Sequence, residues 1–551
     1  MRKIVTFTFF FLLLFNSRVG AGQITVSYGY GIDIESQLIL VNQDITSLNP
    51  QINSQVSSIL IGDQIFYFTE EVETLEIGKQ YIVESEKNGN FKLYFTELPI
   101  AHLRTENKII QADKVLADFQ LTESNSKTIS SRIGVRIRGG VSALVFPKKN
   151  YRIEFWQDEA GDVTKDVSLL DMRMDDDWNL HGMYNEPLRA TNMVGFDVWR
   201  KINTLYYQSS ERGARNGSRW KYSELFLNDR YQGIYGVIEP VDRKQLQLKK
   251  YNEKNGIRGE LYKGMCTCSY NPTPSVPDYG NPLWEIMFEY KYPNEIPADW
   301  DNLMNFRNFI IYAKDLEFYG EIESHFVLES AVDYFIFMNL LRGNDNKGKN
   351  LYLARYNANE PYFFVAWDLD AVFGMTWDGS PVDITNDILT NFFYDRLLKD
   401  HPDNKFHFEV KKKWKKLRKD WLTTENIIKM FSERYELLLA NGVYEREELA
   451  WSDFNFDPQE NFDYLNSWLS RRISFLDREF DSYALVGIED IPVDTNEPCD
   501  IRIYNVSGQL LKILRHVSYQ RELILQDLEK GVYILHVQSA YQNKIEKVVR
   551  H

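Results

Sequence analysis

The chain has few residues that could cross-link it, and it has less positive than negative charge. Cys266, Cys268 and Cys499 are the three cysteines among 551 residues, which is too few for a disulfide scaffold. Cys266 and Cys268 are too closely spaced for the usual zinc pair and no second pair exists, so we expect no zinc site. The formal charge of -15 argues against nucleic-acid binding, which needs clustered Lys and Arg, and suits cations such as magnesium or calcium.

The sequence also has no membrane-spanning stretch after its first residues. Met1, Arg2 and Lys3 give a positive start, residues 4–15 form an apolar run, and residues 19–21 are small enough for cleavage. This run is too short for a transmembrane helix and is typical of a secretory signal peptide. We therefore predict a signal peptide at residues 1–21 and a protein that leaves the cytoplasm.

Three kinds of pattern follow the signal peptide, and together they predict a multidomain α+β protein. Residues 22–107 show short alternating apolar runs broken by turn residues, which predicts a β-sandwich-like module. Residues 108–484 combine strand and helix patterns in one large unit. Residues 485–551 alternate again around Ser507–Gly508 and Lys530–Gly531 turns, which predicts a second small all-β module.

The central unit begins with strands and ends with helices. We predict strands at 133–138, 139–143 and 148–155, then a helix at about 188–202 capped by Asn185, then strands at 224–228 and 233–238. The strand pattern ends at Glu239, and residues 256–305 have the composition of a loop-rich insertion. A helix from about Ser324 leads to Arg342, and the pattern after Gly374 is mostly helical. This order is that of a kinase N-terminal lobe, a hinge and a helical C-terminal lobe.

The loop after Arg342 carries the most informative motif. Asp345 and Asn350 form an Asp-x-x-x-x-Asn unit, and Asp368 follows an apolar run at 363–367 that predicts a short buried strand. Protein kinases place a proton-accepting Asp, a metal-binding Asn and a second metal-binding Asp in this order. For the isolated motif, the competing interpretation is a polar loop whose side chains cap their own backbone. Asp370 is either a further carboxylate for the metal or the N-cap of a helix starting at Ala371.

The glycine turn and the lysines after it predict a phosphate-binding site. Gly139 and Gly140 would let backbone N–H groups approach phosphate oxygens, and a lysine would neutralise them. We choose Lys149 for this role, although strand alternation puts Lys148 and Lys149 on opposite faces and leaves open which points inward. The alternative is an ordinary hairpin with solvated basic residues.

The roles of four other polar residues are less well defined by the sequence. Glu239 lies at the hinge, where it contacts adenine or forms a structural ion pair. Glu186 and Glu154 are the candidates for the acidic partner of the lysine. His181 is flanked by apolar and glycine residues, so we interpret it as a packing residue rather than a base.

Taken in order, these segments resemble the spore coat protein H (CotH) kinase family. The resemblance implies an atypical, bilobal secreted protein kinase that uses ATP with Mg²⁺ or Mn²⁺ to phosphorylate Ser or Thr of a protein substrate. It implies that Asp345 accepts the hydroxyl proton, that Asn350 and Asp368 hold the metal, and that Gly139, Gly140 and Ser142 line the phosphate turn. Where the family often has Gly-Asn-Ser-Ser, this chain has one hydroxyl fewer, which weakens the expected hold on the nucleotide. The matching motifs are Arg136–Gly140, Phe146–Ile153, Asp177–Leu180, Glu224–Asn228, Gly233–Glu239, Asn344–Asn346 with Asn350, and Trp367–Asp370.

The C-terminal segment resembles the sorting tail of type IX secretion substrates. The matching residues are Ile501–Gln509, Asp527–Leu528, Lys530–Leu535 and Lys544–Val549. The resemblance implies recognition by the type IX machinery, passage through the periplasm of a Gram-negative bacterium, and a secreted or cell-surface protein. The competing functional classes are a non-catalytic kinase-like surface or ligand-binding protein and a secreted hydrolase with paired carboxylates.

Overall fold

A computed structural model describes residues 22–52, 56–453, 457–483, 498–505, 508–518, 524–538 and 543–550. The signal peptide predicted at 1–21 lies outside these residues. None of the helices within the described ranges is long and apolar enough to cross a membrane.

The first residues form one seven-stranded sheet around its own apolar core. Parallel pairs β1–β4 and β3–β7 connect its hairpins, so all seven strands share one hydrogen-bonded sheet in the order β1-β4-β5-β6-β7-β3-β2. Alternate side chains such as Ile24, Val26, Phe66 and Phe68 point into the core, as period-two alternation requires. The elements are β1 (Gly22–Val26), β2 (Tyr30–Asp33), β3 (Leu38–Val41), α1 (Ile45–Leu48), β4 (Val56–Ile61), β5 (Gln64–Val72), β6 (Gln80–Ser85) and β7 (Gly89–Phe95).

A closed barrel of seven strands follows. Its elements are β8 (Ile100–Arg104), β9 (Val115–Thr122), β10 (Thr128–Arg138), α2 (Val141–Val145), β11 (Asn150–Phe155), β12 (Val167–Ser168), β13 (Met174–Asp175), β14 (Asp177–His181), α3 (Thr191–Ile202), β15 (Trp220–Leu227), β16 (Arg230–Ile238) and α4 (Arg243–Leu246). The barrel order is β10-β11-β14-β16-β15-β8-β9, so residues 100–104, on the N-terminal side of the boundary predicted at 107, are hydrogen-bonded into the barrel. Helix α3 packs on β16 so closely that a Cβ on Gly236 would lie 1.9 Å from Met193 Cε.

Two local predictions in the barrel region are wrong. Residues 139–143 were predicted as a strand, whereas β10 ends at Arg138 and α2 occupies Val141–Val145. Helix α3 confirms the helix predicted at about 188–202, although it begins at Thr191. Asn185 does not cap it, because Ala190 is the N-cap and the Asn185 amide donates to the carbonyl of Trp377 at 2.6 Å.

A five-stranded sheet and a buried helix form the next layer. The elements are β17 (Glu260–Gly264), β18 (Leu283–Trp284), β19 (Phe288–Tyr292), α5 (Asp301–Tyr312), α6 (Asp315–His325), α7 (Leu328–Leu341), β20 (Leu351–Arg355) and β21 (Tyr362–Ala366), and the sheet order is β18-β19-β17-β20-β21. The segment 256–305 is largely loop, as predicted, and it also contributes three strands to this sheet. Twelve of the fourteen residues of α7 are buried, so this mostly apolar helix is covered on all sides and forms part of the core.

The helices after residue 391 cover this layer. They are α8 (Phe392–Leu397), α9 (Phe406–Asp420), α10 (Thr424–Ala440), α11 (Val443–Ala450) and α12 (Pro458–Ser482). The start of α12 follows from its sequence, because Asp457 accepts a hydrogen bond from the Glu460 N–H and Pro458 occupies the first helical position. Helix α11 packs on strand β16 of the barrel, where a Cβ on Gly233 would lie 2.1 Å from Glu447 Oε1.

The last described residues form a four-stranded antiparallel sheet. Its strands are β22 (Pro498–Asn505), β23 (Leu510–Ser518), β24 (Gly531–Gln538) and β25 (Asn543–Arg550), in the order β23-β22-β24-β25. Of the two predicted turns, Ser507 lies outside the described residues and Gly531 begins β24. The core of the sheet includes Ile501, Ile503, Leu535 and Val537.

Candidate active site

The loop after α7 presents Asp345 to solvent and holds its neighbour in the core. Asn346 is buried, its amide donates to the carbonyl of Trp367 at 2.9 Å, and its own carbonyl accepts from the Tyr334 hydroxyl at 2.8 Å. The Asp345 side chain is 32% exposed and forms an ion pair with Lys349 at 2.9 Å. Anchoring through Asn346 therefore fixes the backbone of the loop while leaving the Asp345 carboxylate within reach of a second molecule.

The hairpin of β20 and β21 brings Asn350 and Asp368 together. Leu351 pairs with Ala366, so Asn350 precedes one strand at the same end of the hairpin where Asp368 follows the other. Both residues have left-handed backbones, with φ of 59° and 55°, a conformation that Asn and Asp adopt more readily than bulkier residues. The Asp-x-x-x-x-Asn unit and the Asp after the buried strand thus meet at one place in the fold.

A buried hydrogen-bond chain ties this hairpin to helix α3 and adds a carboxylate. The N–H of Leu369 donates to Asn192 Oδ1 at 3.2 Å, and the Asn192 N–H donates to Glu186 Oε2 at 3.2 Å. Glu186 Oε1 lies 3.0 Å from His181 Nε2, so His181 has a polar partner in the core. Glu186 was considered only as a lysine partner, because the sequence gives no sign of the link through Asn192.

Asp370 lies among acidic groups. Burial raises its pKa well above the usual value, and the neighbouring carboxylates of Asp368, Glu186 and Asp345 raise the pKa further. The helix-cap alternative for Asp370 is wrong, because the described segment from 371 to 391 contains no helix and α8 begins at Phe392. Four carboxyl groups, Asp345, Asp368, Asp370 and Glu186, therefore interact at this site.

Two basic residues that we did not single out from the sequence lie beside these acids. The Arg138 guanidinium lies 5.4 Å from the centre of the Trp367 ring, and burial lowers its pKa while Asp368 opposes that shift. Lys263 on β17 pairs with Tyr352 of β20, and burial lowers the pKa of its ammonium while Asp368 and Glu289 oppose that shift. The sequence signal for Arg138 was its position directly before Gly139.

The turn after Arg138 requires glycine at its first position. Gly139 has φ of +111°, and a Cβ there would lie 2.5 Å from Ser142 Oγ, so the serine side chain folds back over the turn. A Cβ on Gly140 would meet nothing within 4 Å, so its backbone borders open space. Gly139, Gly140 and Ser142 thus form one compact turn that starts beside Asp368.

The two adjacent lysines have different environments. Neither lies in a strand, because β11, which was predicted at 148–155, begins at Asn150. The Lys149 ammonium donates to the carbonyls of Ala143 and Phe146 at 2.8 and 2.5 Å, within its own turn. The Lys148 ammonium is fully buried and donates to Glu447 Oε1 at 2.7 Å. The acidic partner is therefore Glu447 of α11 and neither of the residues we considered.

Glu154 and Glu239 also have structural partners. Glu154 pairs with Lys114 and accepts from the Trp156 indole N–H at 2.7 Å. Glu239 is completely buried, pairs with Arg215, and accepts from the backbone N–H of Arg173 at 3.2 Å. Of the two roles considered for Glu239, the structure has the ion pair.

The donor set of the site suits a hard divalent cation. Asn350 is 5% exposed. Asp345 has an ion pair with Lys349, whereas within the described ranges no ion pair involves Asp368 or Asp370. One amide and two carboxylates supply oxygen ligands of the kind that Mg²⁺ and Mn²⁺ take, so the residues present fit such a cation.

The chain belongs to the CotH kinase protein family, whose model matches residues 135–476, more than half of the sequence. This range contains the glycine turn, helix α3 and all four acids. Residues 488–551 match the secretion system C-terminal sorting domain. The tail indicates an exported protein with a secreted or cell-surface location. No curated protein matches the chain.

Proposed function

We propose that this protein is a secreted atypical protein kinase that transfers the γ-phosphate of ATP to Ser or Thr of a surface or exported protein. The observation that carries the proposal is the convergence of Asp345, Asn350, Asp368 and Asp370 on one end of the β20–β21 hairpin. In this proposal the barrel with α2 and α3 corresponds to the N-terminal lobe, and the β17–β21 sheet with α5–α12 corresponds to the C-terminal lobe.

The proposed roles follow from position and exposure. Asp345 is partly exposed, so it would orient the acceptor hydroxyl and take its proton, while Lys349 holds the carboxylate in place. Asn350, Asp368 and Asp370 would hold Mg²⁺ or Mn²⁺, which when bound neutralises charge on the phosphates of ATP. The rest of the transfer depends on positioning.

Positive charge near the phosphates would come from Arg138. Its guanidinium interacts with Asp368, and it directly precedes the open turn at Gly139 and Gly140, where backbone N–H groups can approach an anion. Lys149 is a weaker candidate than the sequence suggests because two carbonyls already bind its ammonium.

Export would proceed in two steps in this proposal. The signal peptide at 1–21 would direct the chain to the periplasm of a Gram-negative bacterium, and the tail at 488–551 would then engage the type IX machinery. Residues 22–107 would remain as the N-terminal β module of the mature protein.

The test is phosphate transfer by the purified mature chain with labelled ATP and Mg²⁺ or Mn²⁺. We expect Asp345→Ala to lower the rate by about 10²–10⁴-fold, the usual contribution of a positioned proton acceptor, and Asp368→Ala to abolish metal-dependent nucleotide binding. Asp383→Ala is the matched control, because Asp383 is an exposed carboxylate that pairs with Arg471. If wild type transfers no more phosphate than Asp345→Ala and binds nucleotide without metal dependence, the kinase proposal is wrong.

A further inference from the structure

The turn after β17 packs directly against the loop that carries Asn350. Cys266 and Cys268 form a disulfide in this turn. A Cβ on Gly348 would lie 2.7 Å from the Cys266 carbonyl oxygen and 2.8 Å from that of Thr267. Because real Cβ atoms do not approach other atoms so closely, the two backbones are in contact with no side chain between them.

The same turn lies between two residues of the site. On its N-terminal side, Gly264 accepts a hydrogen bond from the Asn350 N–H at 3.3 Å, and a Cβ on Gly264 would lie 1.8 Å from the Gly348 carbonyl oxygen. Lys263, which interacts with Asp368, is the residue before Gly264. Any movement of the turn is therefore transmitted to Asn350 and Lys263 through backbone contacts.

The turn is anchored by a buried serine, and its two cysteines are partly exposed although Cys268 also packs on the core. Ser269 is completely buried, and its hydroxyl lies within hydrogen-bond distance of the carbonyl oxygens of Cys266 and Met287, at 2.7 and 2.5 Å. Cys266 and Cys268 are partly exposed. A soluble thiol can thus reach the disulfide without unfolding the core.

We propose that the Cys266–Cys268 disulfide positions the Asn350 loop, so that the metal-binding site is complete only in the oxidised protein. The effect on metal binding rests on the proposed function, whereas the backbone contacts between the turn and the loop do not. The two thiols would lose two protons and two electrons to a protein disulfide oxidant, whose own disulfide is reduced to a dithiol as the Cys266–Cys268 bond forms. Since disulfides form in the periplasm and not in the reducing cytoplasm, the site would be completed during export.

The experiment compares the oxidised mature chain with the same chain treated with dithiothreitol. Mass spectrometry of alkylated peptides first establishes whether residues 266 and 268 are cross-linked. Hydrogen exchange of the peptide covering 343–351 then reports the order of the loop, and titration with Mn²⁺ alone reports the affinity of the site. We expect reduction to speed exchange of this peptide and to weaken Mn²⁺ binding by about 10-fold, as loss of a supporting contact to a metal ligand does. Reoxidation with oxidised glutathione should restore both.

Two variants identify the sulfur atoms responsible. The double variant Cys266→Ser/Cys268→Ser should match reduced wild type whether or not reductant is present. Cys499→Ser should respond to reductant as wild type does, because Cys499 is a buried free thiol in the C-terminal sheet. Circular dichroism of each sample checks that the fold is retained, and dithiothreitol-treated wild type supplies the comparison if the double variant does not fold.

The outcomes separate this inference from the kinase proposal. Free thiols in the exported protein, or exchange and Mn²⁺ affinity that do not change on reduction, would overturn the inference even if the protein phosphorylates a substrate. A redox-dependent loop and Mn²⁺ affinity without phosphate transfer in either state would support the inference and overturn the kinase proposal.

Discussion

Two clusters of charged side chains in this protein contrast in how their charge is balanced. In the first, Glu447 of α11 accepts from Lys148 at 2.7 Å and from Arg189 at 2.9 Å, and all three side chains are fully buried. In the second, the acids at the end of the β20–β21 hairpin crowd one another, and Asp370 has its pKa raised by burial and by Asp368. A buried charge is tolerated when it is paired, so the first cluster is structural and the second is suited to a cation.

The cluster of Lys148, Arg189 and Glu447 connects separate parts of the fold. Besides its side-chain partners, Glu447 Oε1 accepts from the Ile234 N–H at 2.6 Å, which attaches α11 to the barrel. At the C-terminal end of α10, Asn441 Oδ1 accepts from the Thr96 hydroxyl at 2.9 Å and the Glu97 N–H at 2.7 Å, which attaches the N-terminal sheet. These contacts join the barrel, the helices and the N-terminal sheet.

A third group of acids shows that clustering alone does not indicate a metal site. Asp166, Asp175 and Asp176 have ligand atoms close enough for one cation. The Lys244 ammonium already occupies that position, at 2.7 Å from Asp166 and 3.1 Å from Asp175. This group therefore serves as a control for the acidic site.

Removing Glu447 from its cluster with Lys148 and Arg189 should have the largest effect on stability. Glu447→Ala removes the carboxylate that pairs with the buried Lys148 and Arg189, so we expect the free energy of unfolding to fall by about 3–5 kcal/mol. Equilibrium urea denaturation measures this change. A loss below 1 kcal/mol would mean that solvent reaches the cluster and that it does not hold α11 on the barrel.

Lys148→Met is the matched control for Glu447→Ala. Burial lowers the pKa of Lys148 to about 8, and Glu447 keeps Arg189 and the Ile234 N–H when the lysine is removed. We expect a change of less than about 1 kcal/mol at pH 7, because Glu447 stays paired with Arg189 and no buried charge is left without a partner. Between pH 8 and 10.5 the unfolded wild-type chain binds the extra proton, so wild-type stability should rise with pH through this window relative to Lys148→Met.

Metal binding should produce the next largest effect. At a Mn²⁺ concentration 100 times the dissociation constant, binding to the folded state alone would stabilise the protein by about 2.7 kcal/mol, and chelation would remove this gain. We expect Asp368→Asn to lose the metal-dependent rise in melting temperature. Asp166→Asn should keep it, because Lys244 neutralises that group. Equal loss in both variants would indicate non-specific binding of Mn²⁺ to acidic surface.

Neutralising Asp370 should stabilise the metal-free protein, the reverse of the Glu447 result. Asp370→Asn removes one of four carboxyl groups that crowd one another, so we expect the metal-free variant to have a higher free energy of unfolding than wild type at pH 7. The pKa of Asp370 is raised on folding, so its ionisation costs stability as pH rises above 3.8. The advantage of the variant should therefore be near zero at pH 4 and should grow toward pH 7. A variant that is less stable than wild type at pH 7 without metal would contradict the idea that this site has excess negative charge.

The acidic site could be predicted from the sequence where its geometry is local. Asn350 and Asp368 are joined by one hairpin, and a short apolar run before an Asp predicts such a strand end. The strand predicted at 139–143 was wrong because Val141 favours strands, whereas the positive φ of Gly139 ends β10 and turns the chain into α2. Strand alternation could not decide between Lys148 and Lys149, and both residues precede β11.

The longer-range partners could not be predicted from one sequence. Lys148 and Glu447 are separated by 299 residues, and Leu369 and Asn192 by 177. Nothing in the local pattern around Glu447 distinguishes it from the other acids of α11. These pairs depend on how whole layers pack, which single-sequence periodicity does not specify.

The smallest effect on nucleotide binding should come from Lys149, and it decides which basic residue supplies positive charge at the acidic site. Lys149→Ala removes two hydrogen bonds to the carbonyls of Ala143 and Phe146, so we expect a loss of about 1 kcal/mol in unfolding free energy. Metal-dependent ATP affinity should be unchanged in this variant and should fall at least about 10-fold, or 1.4 kcal/mol, in Arg138→Met, whose guanidinium lies beside Asp368. Isothermal titration with a non-hydrolysable ATP analogue and Mn²⁺ compares the two variants. If Lys149→Ala loses affinity for ATP and Arg138→Met does not, Lys149 must exchange its hydrogen bonds to the two carbonyls for a contact with the nucleotide. Lys149 would then bind the phosphates, as the sequence predicts.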